Sequence, residues 1–199
     1  MTSASNPLII IGTVILTPLL TGFILTYRNL RKEKERYLYL SNFQILFMKW
    51  CDSDCVDNSV YAEIIKLSPK AHTLLGEFAT MKFRPPSEDT FMNKWAVIHN
   101  AIPQINKNKK LLQSLDGNRI LEIEIKNYID LVNESLLRAL GRSNDIQSEI
   151  KIKLRSPFLL LFQGLNFILT TPALLLAECG LYQRCAALTH WRIPLKVKF

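Results

Sequence analysis

Residues 7–27 read PLIIIGTVILTPLLTGFILTY and residues 156–182 read SPFLLLFQGLNFILTTPALLLAECGLY. No charged side chain occurs from Met1 to Tyr27, and none from Ser156 to Ala177. About twenty apolar residues in a helix cover the ~30 Å hydrocarbon thickness of a bilayer, so each run has the length of a transmembrane helix. The 128 residues between them, 28–155, hold 21 of the 25 basic and 16 of the 17 acidic side chains in a chain of 199. Such segregation excludes a simple soluble globule, a disordered chain and a small disulfide-stapled secreted module. The expected fold class is an all-α membrane protein, with two transmembrane helices flanking a cytoplasmic helical-bundle domain. Its expected divisions are a short extracytoplasmic leader (1–6), transmembrane helix 1 (7–27), the cytoplasmic helical domain (28–155), transmembrane helix 2 (156–182) and a basic amphipathic tail (183–199).

A cleaved signal peptide is the rival reading of the first run. Signals carry positive charge before the apolar core and small residues after it. Here the leader MTSASN is uncharged, and Arg28, Arg31, Lys32, Lys34 and Arg36 follow the core. That polarity is backwards for a signal. In the second run Ser156-Pro157 suits a helix start, because proline tolerates the first turn. Pro172 predicts a kink, and a break at Thr170-Thr171-Pro172 would make the segment re-entrant. Basic residues collect on the cytoplasmic side of spans. The cluster after the first run and Arg142, Lys151, Lys153 and Arg155 before the second both place the central stretch in the cytoplasm. Arg184, Arg192, Lys196 and Lys198 of the tail argue the other way if the second run spans. Trp191 and the alternating basic and apolar residues around it suit attachment of the tail to the bilayer surface.

Both runs carry polar faces. Thr13, Thr17 and Thr21 recur every fourth residue, with Gly22 beside them. Gln163, Asn166, Thr170, Ala173 and Ala177 step by three and four, which keeps them on one side of a helix. Amides are costly in hydrocarbon unless paired, and small residues let helix backbones approach. Thr13, Thr17, Thr21, Gln163, Asn166 and Thr170 are therefore the candidate helix-packing or pore-lining residues. Either the two helices pack on each other, with Gln163 and Asn166 bonded to threonine hydroxyls, or several copies associate around these faces. Neither run holds an ionisable residue at its centre, which argues against a proton relay or ion-coupled transporter.

The central stretch reads as helical units. Leu38, Leu40, Phe43, Ile45, Leu46, Phe47 and Trp50 predict a buried helix running on from the first apolar run. Residues 52–58 (DSDCVDN) read as a loop. Val60, Tyr61, Ile64, Ile65 and Leu67 form one amphipathic unit, and Ser68-Pro69 predicts the start of another carrying Leu74, Leu75, Phe78 and Met81. After Arg84-Pro85-Pro86 a helix is expected from about Ser87, carrying Phe91, Trp95, Ile98 and Ile102. Residues 121–125 (LEIEI) alternate with period two and fit a strand, whereas Ile125, Tyr128, Ile129, Val132, Leu136, Leu137 and Leu140 have helical spacing. Gly141 reads as a C-cap before a last helix over 143–155. Too few strands are expected for a sheet, and an antiparallel helical bundle follows.

Signals for chemistry are thin. Cys51 and Cys55, with His72 or His99, offer a partial zinc set that lacks a second cysteine pair. Cys179 and Cys185 could pair in an oxidising compartment. His72, His99 and His190 fall in different expected elements, and no nucleophile motif accompanies them. The glycines match neither a phosphate-binding loop nor a dinucleotide fingerprint. Asp52, Asp54 and Asp57 lack the later glycine and glutamate of a calcium loop. No catalytic, metal or cofactor-binding residue is assigned, and no cofactor or enzymatic activity is expected. The central surplus of basic residues sits mainly beside the two apolar runs, where anionic lipid attracts it. Lys107, Lys109 and Lys110 form a further cluster without interleaved aromatics, so direct nucleic-acid binding is not expected.

Two uncharged spans, a cytoplasmic helical domain between them and the lack of a catalytic motif together resemble the two-transmembrane effectors of bacterial retron-type antiphage defence systems. The resemblance is one of layout over the whole chain, and no motif carries a residue's role onto this sequence. It implies an inner-membrane effector of abortive infection, restrained by a partner complex of reverse transcriptase with its RNA–DNA product. A phage trigger would release it to compromise the membrane. The expected partners are thus the lipid bilayer, further copies of the chain and that reverse transcriptase complex. The alternative is a membrane-anchored adaptor or superinfection-exclusion/immunity protein without pore activity.

Overall fold

The computed structural model describes residues 7–53, 58–84, 91–114 and 118–178, with side chains described between Gly12 and Thr171 within those ranges. These residues are mostly helical. In chain order they form α1 (Pro7–Asp52), α2 (Asn58–Leu75), a 3-10 turn (Gly76–Ala79), β1 (Thr80–Phe83), β2 (Met92–Ala96), α3 (Val97–Ser114), α4 (Arg119–Arg155) and α5 (Pro157–Glu178). The chain divides into two compact units, residues 31–149 and residues 1–30 together with 150–199.

The core of the 31–149 unit starts on α1. Leu40, Phe43, Phe47 and Trp50 recur every three or four residues, and all are at most 1% exposed. Fully burying side chains of this size contributes about 1.5–3 kcal/mol each. Ile64, Ser68, Ala71 and Leu75 of α2 supply a second buried stripe, and Val97, Ile98, Ala101, Ile102 and Ile105 of α3 a third. On α4 the stripe is Ile125, Tyr128, Val132, Leu136, Ala139 and Leu140. Polar ties set the sense of α1 against α4. Ser143 Oγ donates to the Glu33 carboxylate at 3.0 Å, and Gln44 Nε2 donates to Asn133 Oδ1 at 2.7 Å. Rising numbers on α1 meet falling numbers on α4, so this pair is antiparallel.

Several expected boundaries move. Pro69 does not open a helix; α2 passes through it. Proline removes one intrahelical bond, and here the neighbouring Ser68 hydroxyl donates to the Ile64 carbonyl at 2.7 Å inside the same turn. The helix ends instead at Gly76, whose φ of +62° is the left-handed conformation that glycine adopts without steric cost. Arg36 Nε donates to the Leu74 carbonyl at 2.8 Å and so satisfies part of that helix end. Phe78 therefore falls in the 3-10 turn and Met81 in β1.

Ser87, where a helix is expected to start, lies outside the described residues; Met92–Ala96 form β2 of an antiparallel pair with β1 instead, and α3 begins only at Val97. Thr80 pairs with Ala96, Met81 with Trp95 and Phe83 with Met92, with an irregularity between Met81 and Phe83. Lys94 takes the extra place, with φ +58°. Phe83, Trp95 and Tyr128 gather at centroid distances of 4.6–5.9 Å and fasten the hairpin to α4. Residues 121–125 are helical, not a strand. Asn118 Oδ1 accepts from the backbone N–H groups of Ile120 and Leu121 at 3.2 and 3.4 Å, the N-cap arrangement that starts α4. Gly141 is no C-cap either, because α4 continues through it to Arg155.

Candidate functional site in the apolar helix pair

The helix break at Ser156 comes from local chemistry. Ser156 N–H donates to the Lys153 carbonyl at 3.1 Å and ends α4. Its Oγ accepts from Leu159 N–H at 3.4 Å, and its carbonyl accepts from Leu160 N–H at 3.1 Å, which caps α5. Beyond that cap the α5 backbone stays helical through Thr170, Thr171 and Pro172 to Glu178. The break that would make this segment re-entrant does not occur there.

α5 meets the first half of α1 at two glycines. A methyl carbon placed on Gly22 would overlap the Leu160 carbonyl, and one placed on Gly164 would overlap the Pro18 carbonyl. Pro18 faces Gly164 while Gly22 faces Leu160, so the helices cross in opposite senses with backbones in direct contact. Close approach brings glycine Cα–H groups against carbonyl oxygens, a weak hydrogen bond in its own right. Thr26, 2% exposed, closes the crossing. Its Oγ1 lies 2.6 Å from the Gly22 carbonyl oxygen and 2.8 Å from the Gln163 side-chain amide. A hydroxyl has one hydrogen. Both neighbours are acceptors, the Gly22 carbonyl and Gln163 Oε1, so that one hydrogen is shared between them.

The six residues singled out from the sequence are distributed unevenly about this crossing. Gln163 belongs to it, through a threonine outside the expected stripe. Thr13 and Thr17 are exposed, and Thr21 is half-buried with its hydroxyl donating to its own helix at the Thr17 carbonyl, 2.9 Å away. Asn166 and Thr170 are exposed, and the Thr170 hydroxyl donates to the Asn166 carbonyl at 2.7 Å. The expected bond from Asn166 to a threonine hydroxyl is thus absent among the described residues. Pro18, Gly22, Thr26 and Gly164 carry the contact instead. Their signal was present as the spacing Pro18-x3-Gly22-x3-Thr26, small residues one turn apart.

Large apolar side chains cover the outside of the pair. Val14 is 64% exposed, Phe158 74% and Leu169 72%, and Leu16, Phe23, Ile24 and Phe162 stand out beside them. A contiguous apolar surface of this kind marks a membrane or protein contact. Among the residues whose side chains are described, no single helix is long and apolar enough to cross a membrane. α4 and Pro157–Thr171, bent by 99° at the break between them, meet the length and composition of a span only when taken together. The apolar residues Leu8, Ile9, Ile10 and Ile11 of α1 and those after Thr171 in α5 lie outside that set.

The remaining candidates resolve as follows. His72 and His99 come together, with ring centroids 4.4 Å apart. Burial pushes the His72 pKa below its ordinary value, and the adjacent His99 adds to the effect. Lys109 Nζ donates to the Cys51 carbonyl at 3.0 Å, so one lysine of the 107–110 cluster caps the end of α1. No group of three or more metal-ligating side chains occurs among the described residues. Cys55, Asp54, Asp57, Cys179, Cys185, His190 and the tail 183–199 lie outside them. No protein-family model, no curated protein and no solved structure matches this chain.

Proposed function

We propose that this chain is a multi-pass protein of the bacterial inner membrane, held there by residues 7–27 and 156–182. In this reading residues 28–155 lie on the cytoplasmic side and the protein acts, without enzymatic chemistry, as a membrane-perturbing effector of abortive infection. The observation that carries the reading is the outer surface of the α1–α5 pair. It carries large exposed apolar side chains along both helices, yet it also presents the exposed Asn166 amide, which has no hydrogen-bond partner among the described residues. An unpaired amide in hydrocarbon costs roughly 2–7 kcal/mol, so Asn166 needs water or another chain. An asparagine both donates and accepts, and two copies of Asn166 satisfy each other across a twofold axis. Association through this face would open a polar path where lipid otherwise seals the bilayer. Restraint by a reverse transcriptase–nucleic acid complex, acting on the 28–155 domain, follows from the resemblance of layout.

A second reading, the anchored adaptor or immunity protein, draws on the Thr26–Gln163 contact. There the Thr26 hydroxyl ties α1 to the Gln163 amide oxygen of α5 within one chain, a packing contact that an inert anchor also requires. One experiment separates the two. The chain is expressed at high level in bacteria with no restraining partner, and entry of a dye excluded by intact cells is followed. The effector reading expects dye entry with the wild type and its loss in Asn166→Leu at equal membrane content. Intact membranes with a well-inserted wild type would leave the adaptor.

A further inference from the structure

The α1–α5 crossing gathers cations at one end. Pro18 faces Gly164 and Gly22 faces Leu160, so rising numbers on α1 and falling numbers on α5 lead the same way. At that end the apolar surface stops on both helices. On α1 it stops at the exposed Tyr27, which Arg28 follows. On α5 it stops at Phe158, just after the last turn of α4 with Lys151, Lys153 and Arg155. Arg28, Lys151, Lys153 and Arg155 are all exposed, and none has an ion pair among the described residues. Other cations near the first apolar run are spent within α1, where Arg31 pairs with Glu35 at 2.9 Å and Arg36 with Glu33 at 3.6 Å. No such neutralisation is open to the four. In residues 1–30 and 150–199 the one acidic side chain is Glu178, at the last position of α5.

We propose that this end of the helix pair binds the phosphate of an anionic phospholipid. The inference rests on the membrane placement proposed above and names the lipid class that meets the protein there. Cations gathered without a carboxylate repel one another, and a phosphodiester between them relieves the repulsion. Each basic residue near an anionic bilayer surface strengthens binding roughly fivefold. A zwitterionic lipid brings its own ammonium beside the phosphate and loses most of that gain. The apolar neighbours decide between a lipid and a dissolved ion. Ile152 stands 64% exposed between Lys151 and Lys153, and Phe158 is 74% exposed three residues after Arg155. A free phosphate would leave both in water, whereas acyl chains cover them. The Tyr27 ring, beside Arg28, is of the amphipathic kind that collects at headgroup level.

The test mixes the full chain in detergent micelles with equimolar phosphatidylglycerol and phosphatidylcholine and counts the lipids retained per chain by native mass spectrometry. Phosphatidylglycerol is expected to be retained at least fivefold over phosphatidylcholine. Changing Lys151, Lys153 and Arg155 together to Gln is expected to abolish the preference. Changing Lys107, Lys110 and Lys126 to Gln removes the same charge from the 31–149 unit and is expected to preserve it, with helical content unchanged by circular dichroism in both variants. Equal retention of the two lipids would overturn the proposal, as would an equal loss of preference in both triple variants, which would assign it to net charge. Release of the lipid by inorganic phosphate beyond release by chloride at the same ionic strength would also overturn it, in favour of a free anion. Flotation with phosphatidylcholine vesicles separates this failure from that of the membrane placement. A chain that floats without lipid preference overturns the headgroup site alone, and a chain that does not float overturns both.

Discussion

The two ends of α1 pack by opposite rules. From Gly12 to Tyr27 the smallest or least flexible residues, Pro18, Gly22 and Thr26, face inward and the large ones, Val14, Leu16 and Phe23, face out. From Leu40 to Trp50 the largest residues, Phe43, Phe47 and Trp50, face inward, with Asn42 and Lys49 outside. Water drives the second arrangement, because removing large apolar surface from it is the main favourable term in folding. In lipid that drive is absent, since hydrocarbon tails solvate a leucine as well as another leucine does. What remains is backbone approach and the hydrogen bonds that only short range permits, and Gly22, Gly164 and the Thr26–Gln163 contact supply both. The contrast within one helix is the one that the proposed membrane placement of residues 7–27 requires.

The largest expected effect tests the water-phase rule. Phe47→Ala is expected to destabilise the 31–149 unit by about 3–5 kcal/mol, as aromatic truncations in closed cores do. Hydrogen exchange of the full chain in micelles would read this as lost protection over α1 from Leu40 to Trp50 and over α4. A loss below about 1 kcal/mol would mean that the core does not depend on this side chain in the way its burial implies. The next effect tests the lipid-phase rule. Gly164→Leu forces side-chain atoms into the Pro18 carbonyl, and overpacking of this kind costs about 1–3 kcal/mol or more. Cysteines at positions 26 and 163 are expected to cross-link in the otherwise native chain and to fail to do so with Gly164→Leu. Persistent cross-linking would show that the glycine crossing is not needed.

A smaller effect of opposite sign sharpens the comparison. Gly141 lies inside α4, and a methyl carbon there would meet nothing within 4 Å. Gly141→Ala is expected to stabilise the chain by about 0.5–1 kcal/mol, the helix-interior cost of glycine. The measure is a raised thermal midpoint. The same substitution at Gly22 would lower it, because the Leu160 carbonyl occupies the space.

Much of this architecture is legible in the sequence, and the failures have physical causes. The passage from segment 7–27 through the charged, helix-favouring residues 28–36 into Phe43, Phe47 and Trp50 reads correctly as one long helix, because no glycine or proline interrupts it after Gly22. The Trp95 hairpin does not, because its pairing is non-local. Residues 80–83 (TMKF) and 92–96 (MNKWA) carry little strand propensity alone, and the strands exist through pairing and the contact of Trp95 with Phe83 and Tyr128. The alternation in residues 121–125 misleads for the converse reason. Ile120 and Ile123 face outward at 70% and 50% exposure, so the apolar pattern there is wider than the buried stripe. At the candidate site Gly22 and Gln163 are legible from the small and polar spacing, whereas Pro18 and Gly164 carry no polar group and Thr26 stands outside the four-residue threonine repeat.

The smallest expected effect concerns pH and belongs to the 31–149 unit alone. His72 Nδ1 is buried without a hydrogen-bond partner among the described residues, and the His99 ring lies against the His72 ring. Burial first, and the charge of His99 second, hold the folded His72 pKa below the 6.5 of an ordinary histidine. An unfolded chain therefore takes up a proton at this residue before the folded one does, and stability rises with pH wherever that difference exists. The contribution is complete above 6.5 and declines as pH falls through 6.5 toward the lower folded value. Urea unfolding of the full chain in micelles across this range is expected to show that decline, and His72→Leu is expected to flatten it. A decline of the same slope in His72→Leu would assign it to other groups and leave the histidine pair with no part in the pH response.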